Sequence, residues 1–276
     1  MTTSPPEIVV DPPRRWPGID FRHLWAHREL LFFLIWRNVK VRYRQTFVGV
    51  GWSVFQPLAS VLVFTFLFKR VANIDTGPIP YPLFVLAGFL PWQYFSSAVS
   101  ISALSLVTNV VLVSKVYFPR ILLPVSTILT ALFDFLISMS LLIVLMIWYT
   151  TPLRWSMLLL PVLVIALILT AASISIWLAA LNVRYRDIGF VVPFLMQLWL
   201  FLTPVVYPGT AVAEGPLRIL YSINPMVGIV EAFRWMLVGG NLDTSFLWVS
   251  GTAVLVSLVS GWFYFNRTEQ SFADVI

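Results

Sequence analysis

Four basic residues, Arg37, Lys40, Arg42 and Arg44, stand within eight positions directly before the first long uncharged stretch of the chain. Two chemistries suit them. As a group they attract anionic headgroups and set membrane topology, at about 1 kcal/mol per residue near the surface. The arginines can also bind phosphate oxygens in pairs, as on the diphosphate of a lipid carrier. Charge alone does not choose between the two. A second set is uncharged: Trp52 and Gln56 one helical turn apart, Trp92, Gln93 and Tyr94 in succession, and Gln197 with Trp199. Singly, each amide reads as a group satisfied by a neighbouring helix. Together, amides and rings suit a hydroxyl-rich polymer, with hydrogen bonds to sugar oxygens and flat faces for sugar C–H groups. Ions would need charges or carbonyl rings instead.

Other chemistries are excluded or disfavoured. The chain has no cysteine, which removes disulfides, thiolate metal sites and a cysteine nucleophile. His23 and His27 are four apart with no third ligand near, so no metal site is expected. No glycine-rich phosphate loop ends in Gly-Lys-Ser/Thr, and any ATP hydrolysis must come from a partner. Asp134 is the only acid well inside an apolar run. A proton relay usually shows several such groups, so Asp134 reads as a structural partner for another helix, and ion-coupled transport is disfavoured. No nucleic-acid partner is expected.

These residues sit on elements that only a membrane protein builds. Of 276 residues, 59% are hydrophobic and 11% charged, too far from the soluble average for an ordinary globular domain. The predicted fold is an all-α integral membrane bundle. Uncharged runs long enough to cross about 30 Å of hydrocarbon give six transmembrane helices. They lie at residues 48–68, near 83–107, at 121–150 and 155–183, within 188–206 and within 244–266. Between the fifth and sixth, residues 216–230 and 232–238 are apolar but too short to cross. Broken by Pro204, Pro208, Pro216, Asn224-Pro225 and Gly239-Gly240, they read as re-entrant or interfacial helices. Thirteen lysines and arginines fall on the side of the termini against five on the other, which makes both termini cytoplasmic. The proline-rich start lacks the apolar centre of a signal peptide, and residues 1–24 read as a disordered or extended cytoplasmic arm. Aromatic residues make up 16% of the chain, with 12 Trp, which fits rings at both membrane interfaces.

Leu30 to Trp36 is apolar all round, the basic cluster follows, and Gly49 and Gly51 then permit a change of direction, so this stretch reads as a helix lying at the interface. Two further segments look like contact surfaces. TNVVLVSKVYFPRILLP, residues 108–124, is too apolar for a free loop and invites a socket on another protein or the membrane surface. NVRYRDIGF, residues 182–190, reads as a solvated turn carrying topological charge.

RNVKVRYRQTFVGVGWSVFQPL, NVVLVSKVYFPRILLP, NVRYRDIGFVVPFLMQLWLFLTPVVYP, SINPMVGIVEAFRW and the terminal EQSFADVI, taken in order, resemble the membrane subunit of polysaccharide and polyol-phosphate exporters among type-2 ABC permeases. That family includes O-antigen, capsule and teichoic acid exporters. The likeness spans nearly the whole chain after residue 25. It implies one transmembrane domain over 25–276, with an amphipathic interface helix at 25–46, a cytoplasmic coupling helix at 108–119 and re-entrant helices at 208–240. It further implies a homodimer, two nucleotide-binding ATPase subunits carrying ATP and Mg, no cofactor on this chain, and a place in the bacterial inner membrane. Val113, Lys115, Tyr117, Phe118 and Arg120 become the expected ATPase contacts. The expected cargo is an undecaprenyl-diphosphate-linked polysaccharide, O-antigen-like, moving along the dimer interface. A membrane glycosyltransferase would need acidic clusters that are missing here. An ABC exporter of a small molecule, drug or peptide is the nearer alternative.

Overall fold

The computed structural model describes residues 25–44, 49–152, 154–212, 215–240 and 242–272. The expected arm at 1–24 and residues 45–46 of the expected interface helix lie outside them. Among the described residues the fold is all-helical.

Helix α1, Arg28–Tyr43, carries the basic cluster. Its polarity is divided along the axis, not between two faces: Phe32, Phe33 and Trp36 stand exposed in the first half, the cations follow, and only Leu34 is buried. Helix α2, Trp52–Phe64, is entered through a 3-10 turn at Gly49–Gly51 and runs on as a π-helical stretch, Thr65–Val71, so that 23 residues form one rod. Of the two glycines expected to release the chain, only Gly49 adopts a left-handed conformation, with φ +55°; Gly51 is ordinarily helical.

Helix α3, Tyr81–Leu104, is buried over most of its length. It packs on α2, on α5 (Leu122–Trp148), on α6 (Leu160–Arg184), on α7 (Ile188–Phe201) and on α9 (Pro225–Leu237). Its apolar run without charge on any face is what a central helix requires. Between α3 and α5 stands the short α4, Val110–Lys115. The two-residue break Ile223–Asn224 separates α8, Pro216–Ser222, from α9, in agreement with the expected break at Asn224-Pro225, and Glu231, which interrupts the apolar run, lies inside α9. Helix α10, Thr244–Glu269, packs on α6 and α9. At the ends of α5, α6 and α10, Trp148, Trp155 and Trp248 project outward, as interfacial anchors do.

Among the described residues, five helices are long and apolar enough to cross a bilayer, against the six expected. The exception is α7, whose 14 residues rise about 21 Å, short of a roughly 30 Å core. Pro204 explains the early stop, because it pushes the residue before it out of helical conformation. The freed groups are then satisfied from elsewhere: Asn224 Nδ2 donates to Leu202 O and to Thr203 Oγ1, both at 3.0 Å.

A second apolar cluster forms at the α1 end of the bundle. Leu34, Leu106, Val113, Phe118, Phe265 and Phe272 meet there, which ties α1, α4 and the end of α10 into one body.

Candidate functional site

The polar residues singled out in the first, second and third apolar runs converge on one cavity of about 470 Å³. Helix α2 contributes Trp52, Ser53 and Gln56, and α3 contributes Gln93, Ser96, Ser97 and Ser100. The spacing of the α3 set, i, i+3, i+4 and i+7, makes a polar stripe on one face of an otherwise apolar helix. Trp52 and Gln56 are exposed, whereas the Gln93 Oε1 atom is buried without a partner. An acceptor in that state calls for a hydroxyl or amide donor. Trp92 and Tyr94 border the cavity but are each only 3% exposed. Trp92 packs on Phe95, and the Tyr94 hydroxyl donates to Ile128 O at 3.3 Å, so these two build the wall more than they offer a surface.

Asp134 closes the cavity from α5 and gathers three donors. Arg42 pairs with one carboxylate oxygen, while Tyr43 and Ser53 donate to the other, Ser53 at 2.9 Å. Ser138, one turn on, donates to Ser53 O at 2.5 Å and Asp134 O at 2.7 Å. Burial, then the bond to Asp134, holds the Tyr43 phenol above its ordinary range, so it remains a donor. The expected structural pairing of Asp134 is therefore present, and its partners come from α1 and α2.

The basic cluster does not act as one patch. Arg42 is committed to Asp134. Arg37 Nη2 donates to Asn109 Oδ1 at 2.9 Å and to Asn38 Oδ1 at 3.3 Å. Lys40 lies 5.4 Å over the Trp36 ring, and Arg44 is exposed at the end of α1. The fifth-run residues do not reach the cavity: Gln197 is exposed on α7, and Trp199 packs edge-on against Phe95 at 5.6 Å.

The expected coupling residues divide in two. Val113 and Phe118, 2% and 7% exposed, belong to the apolar cluster at the α1 end and cannot face a partner. Arg120 is held inside the chain, its backbone N–H donating to Glu269 Oε1 at 2.8 Å and its guanidinium to Glu269 O. Tyr117 is 96% exposed, and Lys115 is exposed beside it. The helix itself covers Val110–Lys115, shorter than the 108–119 expected, because the chain turns extended at Val116.

Sequence reasoning passed over Arg234. It is 3% exposed and sits under α3, where its guanidinium donates to Glu231 at 2.9 Å, Pro204 O at 2.6 Å and Val205 O at 2.9 Å, and lies 3.7 Å over the Phe84 ring. Glu231 also accepts the Gly209 N–H at 3.0 Å. Gly88 makes the approach possible, since a Cβ there would stand 2.8 Å from Arg234 Nη2. Its neighbours in sequence are apolar, and that run was the one available signal.

The profile of the ABC-2 type transporter family matches residues 29–238, most of the chain. The chain belongs to this family. With its several apolar helices, this ABC-2 protein is a multi-pass membrane protein. It is 33% identical over 258 residues to the O-antigen export system permease protein RfbA of Myxococcus xanthus, covering 92% of this chain and 98% of that protein. A Klebsiella pneumoniae RfbA is 27% identical over 251 residues, 90% of this chain and 95% of its own length. The polysialic acid transport protein KpsM of Escherichia coli is 24% identical over 224 residues, 76% and 81%.

Proposed function

We propose that this chain is the membrane subunit of an ATP-driven exporter that moves a lipid-linked polysaccharide out of the bacterial cytoplasm. The observation that carries the reading is the match to O-antigen export permeases over nearly the full length of both chains. The chemistry of the α2–α3–α5 cavity agrees with it. Serine hydroxyls, two amides and an exposed tryptophan line that cavity, which suits sugar hydroxyls and C–H faces better than an ion or an apolar drug.

In this reading two copies associate, each with a nucleotide-binding subunit that supplies ATP hydrolysis and its Mg. Helix α7, extended by the buried non-helical segment that follows it, completes a sixth crossing, and α8 and α9 dip into the outer leaflet without crossing. The α1 end of the bundle and both termini face the cytoplasm, where Lys115 and Tyr117 meet the ATPase. The lipid diphosphate approaches along α1, and the glycan passes the amides and rings of α2, α3 and α7.

Reconstitution with the cognate ATPase tests this. ATP turnover is expected to rise several-fold on adding an undecaprenyl-linked glycan. Stimulation by amphipathic drugs or peptides, with none by the glycan, would replace polysaccharide export with small-cargo export.

A further inference from the structure

A second cavity, of about 500 Å³, lies beside the first, between α1, the end of α3 with its 3-10 extension Val107–Asn109, and the first half of α5. Arg42 forms part of the wall of both cavities. Their chemistry differs. The first holds the Asp134 carboxylate, whereas no carboxylate among the described residues lines the second. The second is lined instead by Arg37, by the amides Asn38 and Asn109, by the exposed Thr108, and by the buried hydroxyls of Ser105, just past α3, and of Thr127 and Thr130 on α5.

Two groups there are left with donors to spare. Ser105 is 2% exposed and its hydroxyl has no partner, a costly state for a buried polar atom. By contrast, Thr127 and Thr130 donate to Pro124 O and Ser126 O at 2.8 and 2.7 Å. Arg37 uses Nη2 on Asn109 and Asn38, which leaves Nε and Nη1 of its planar fork for an acceptor. A cavity with a guanidinium fork, a spare buried hydroxyl and no carboxylate selects an anion with several oxygens, and phosphate fits that description.

Depth decides which phosphate. The first half of α1 exposes Phe32, Phe33 and Trp36, at 69%, 61% and 47%, rings that need the acyl boundary, and the cations follow them directly. A helix so divided lies at the level of the lipid headgroups. We infer that the second cavity binds the phosphate of a membrane lipid, with Arg37 and Ser105 as its donors and Arg42 recruited from Asp134 as the phosphate arrives. Because Arg42 separates the two cavities, an occupied phosphate site loosens one of the bonds that hold α1 against α5. The lining of this cavity and the depth of α1 carry the inference, and not the identity of the polymer.

The test uses the purified full-length subunit in detergent, titrated with phosphatidylglycerol, undecaprenyl diphosphate or diacylglycerol, with bound lipid read by native mass spectrometry. A phosphate lipid is expected to bind and diacylglycerol not. Arg37→Gln and Ser105→Ala should each weaken retention by about tenfold, the effect of losing one good contact. Lys40→Gln and Arg44→Gln, which remove equal charge outside the cavity, should change it by less than about twofold. Ser105→Ala separates binding from folding, because deleting an orphaned hydroxyl leaves the melting temperature unchanged or higher. Preference for phosphatidylglycerol assigns the site to bilayer lipid and preference for undecaprenyl diphosphate assigns it to a carrier; with the Arg37 and Ser105 dependence, either supports the site. Equal losses in all four charge and hydroxyl variants, or undiminished binding in Ser105→Ala, overturns it. No ATPase or glycan enters the assay, so its failure leaves polysaccharide export standing, and the reverse.

Discussion

Two internal ion pairs, Arg42–Asp134 and Arg234–Glu231, differ in how much their surroundings depend on them. Asp134 and Arg42 remain about a quarter exposed, beside a polar cavity, so the pair can be exchanged or solvated. Arg234 is enclosed, and its charge is compensated by Glu231 together with the Pro204 and Val205 carbonyls. Removing one partner of such a pair leaves the other charge without compensation, which costs about 3–5 kcal/mol. Glu231→Ala is therefore expected to lower the thermal unfolding temperature of the detergent-solubilised protein sharply. Glu231→Gln should cost less, because an amide oxygen can still accept from Gly209 N–H and Arg234. Equal unfolding temperatures for wild type and Glu231→Ala would mean that the backbone carbonyls alone hold the guanidinium. Of these two acids, Asp134 was legible as a structural partner because a lone carboxylate in an apolar run has few alternatives. Its partners were not, since Arg42 lies 92 positions away and nothing local links the two. Arg234 was missed because a lone cation in a run too short to cross reads as exposed topological charge, and only packing under α3 shows otherwise.

At the scale of elements, the segment joining α3 to α5 has an inside and an outside that its composition hides. Val113 and Phe118 fill the cluster with Leu34, Phe265 and Phe272, while Tyr117 points away, 96% exposed. The neighbouring residues Tyr117 and Phe118 should consequently respond to charge in different ways. Tyr117→Asp is expected to insert and unfold like wild type but to lose co-purification with the ATPase. Phe118→Asp places an unpaired carboxylate in an apolar cluster and is expected to reduce yield and thermal stability whether or not an ATPase is present. A stable Phe118→Asp protein, or a Tyr117→Asp protein that still binds a fully active ATPase, would reverse this assignment. Element positions were largely legible, because an uncharged run of about 20 residues has one physical meaning in a membrane protein. The ends were less so. Hydropathy does not show where hydrogen bonding stops, and the run holding α7 continues past Phe201 while the helix yields to Pro204. The π-helical end of α2 and the inward turn of Phe118 depend on packing partners far along the chain, which no local pattern encodes.

For the whole molecule, the arrangement of α2 and α7 about α3 determines where a polymer could pass. Both pack on α3 and keep apolar outer faces, with Trp52 and Gln56 exposed on α2 and Gln197 on α7. In the proposed exporter a second copy would bring such faces together around a closed path, as a two-fold interface does. The absence of cysteine allows a direct test without background. Single cysteines at Trp52, Gln56 and Gln197 are expected to react readily with a water-soluble maleimide in the idle transporter. When a polymer is trapped in transit, each should slow by about tenfold or more, as expected for groups shielded by a bound chain. Trp199→Cys provides the internal control: packed against Phe95, this position should react slowly in both states. The three exposed positions report on the path and Trp199 on the integrity of the bundle, so the pattern separates occlusion by polymer from general closure. Protection at Trp52 and Gln56 with none at Gln197 would confine the glycan to the α2–α3–α5 side of the subunit. Unchanged labelling at all three would remove the amides and rings from the path altogether.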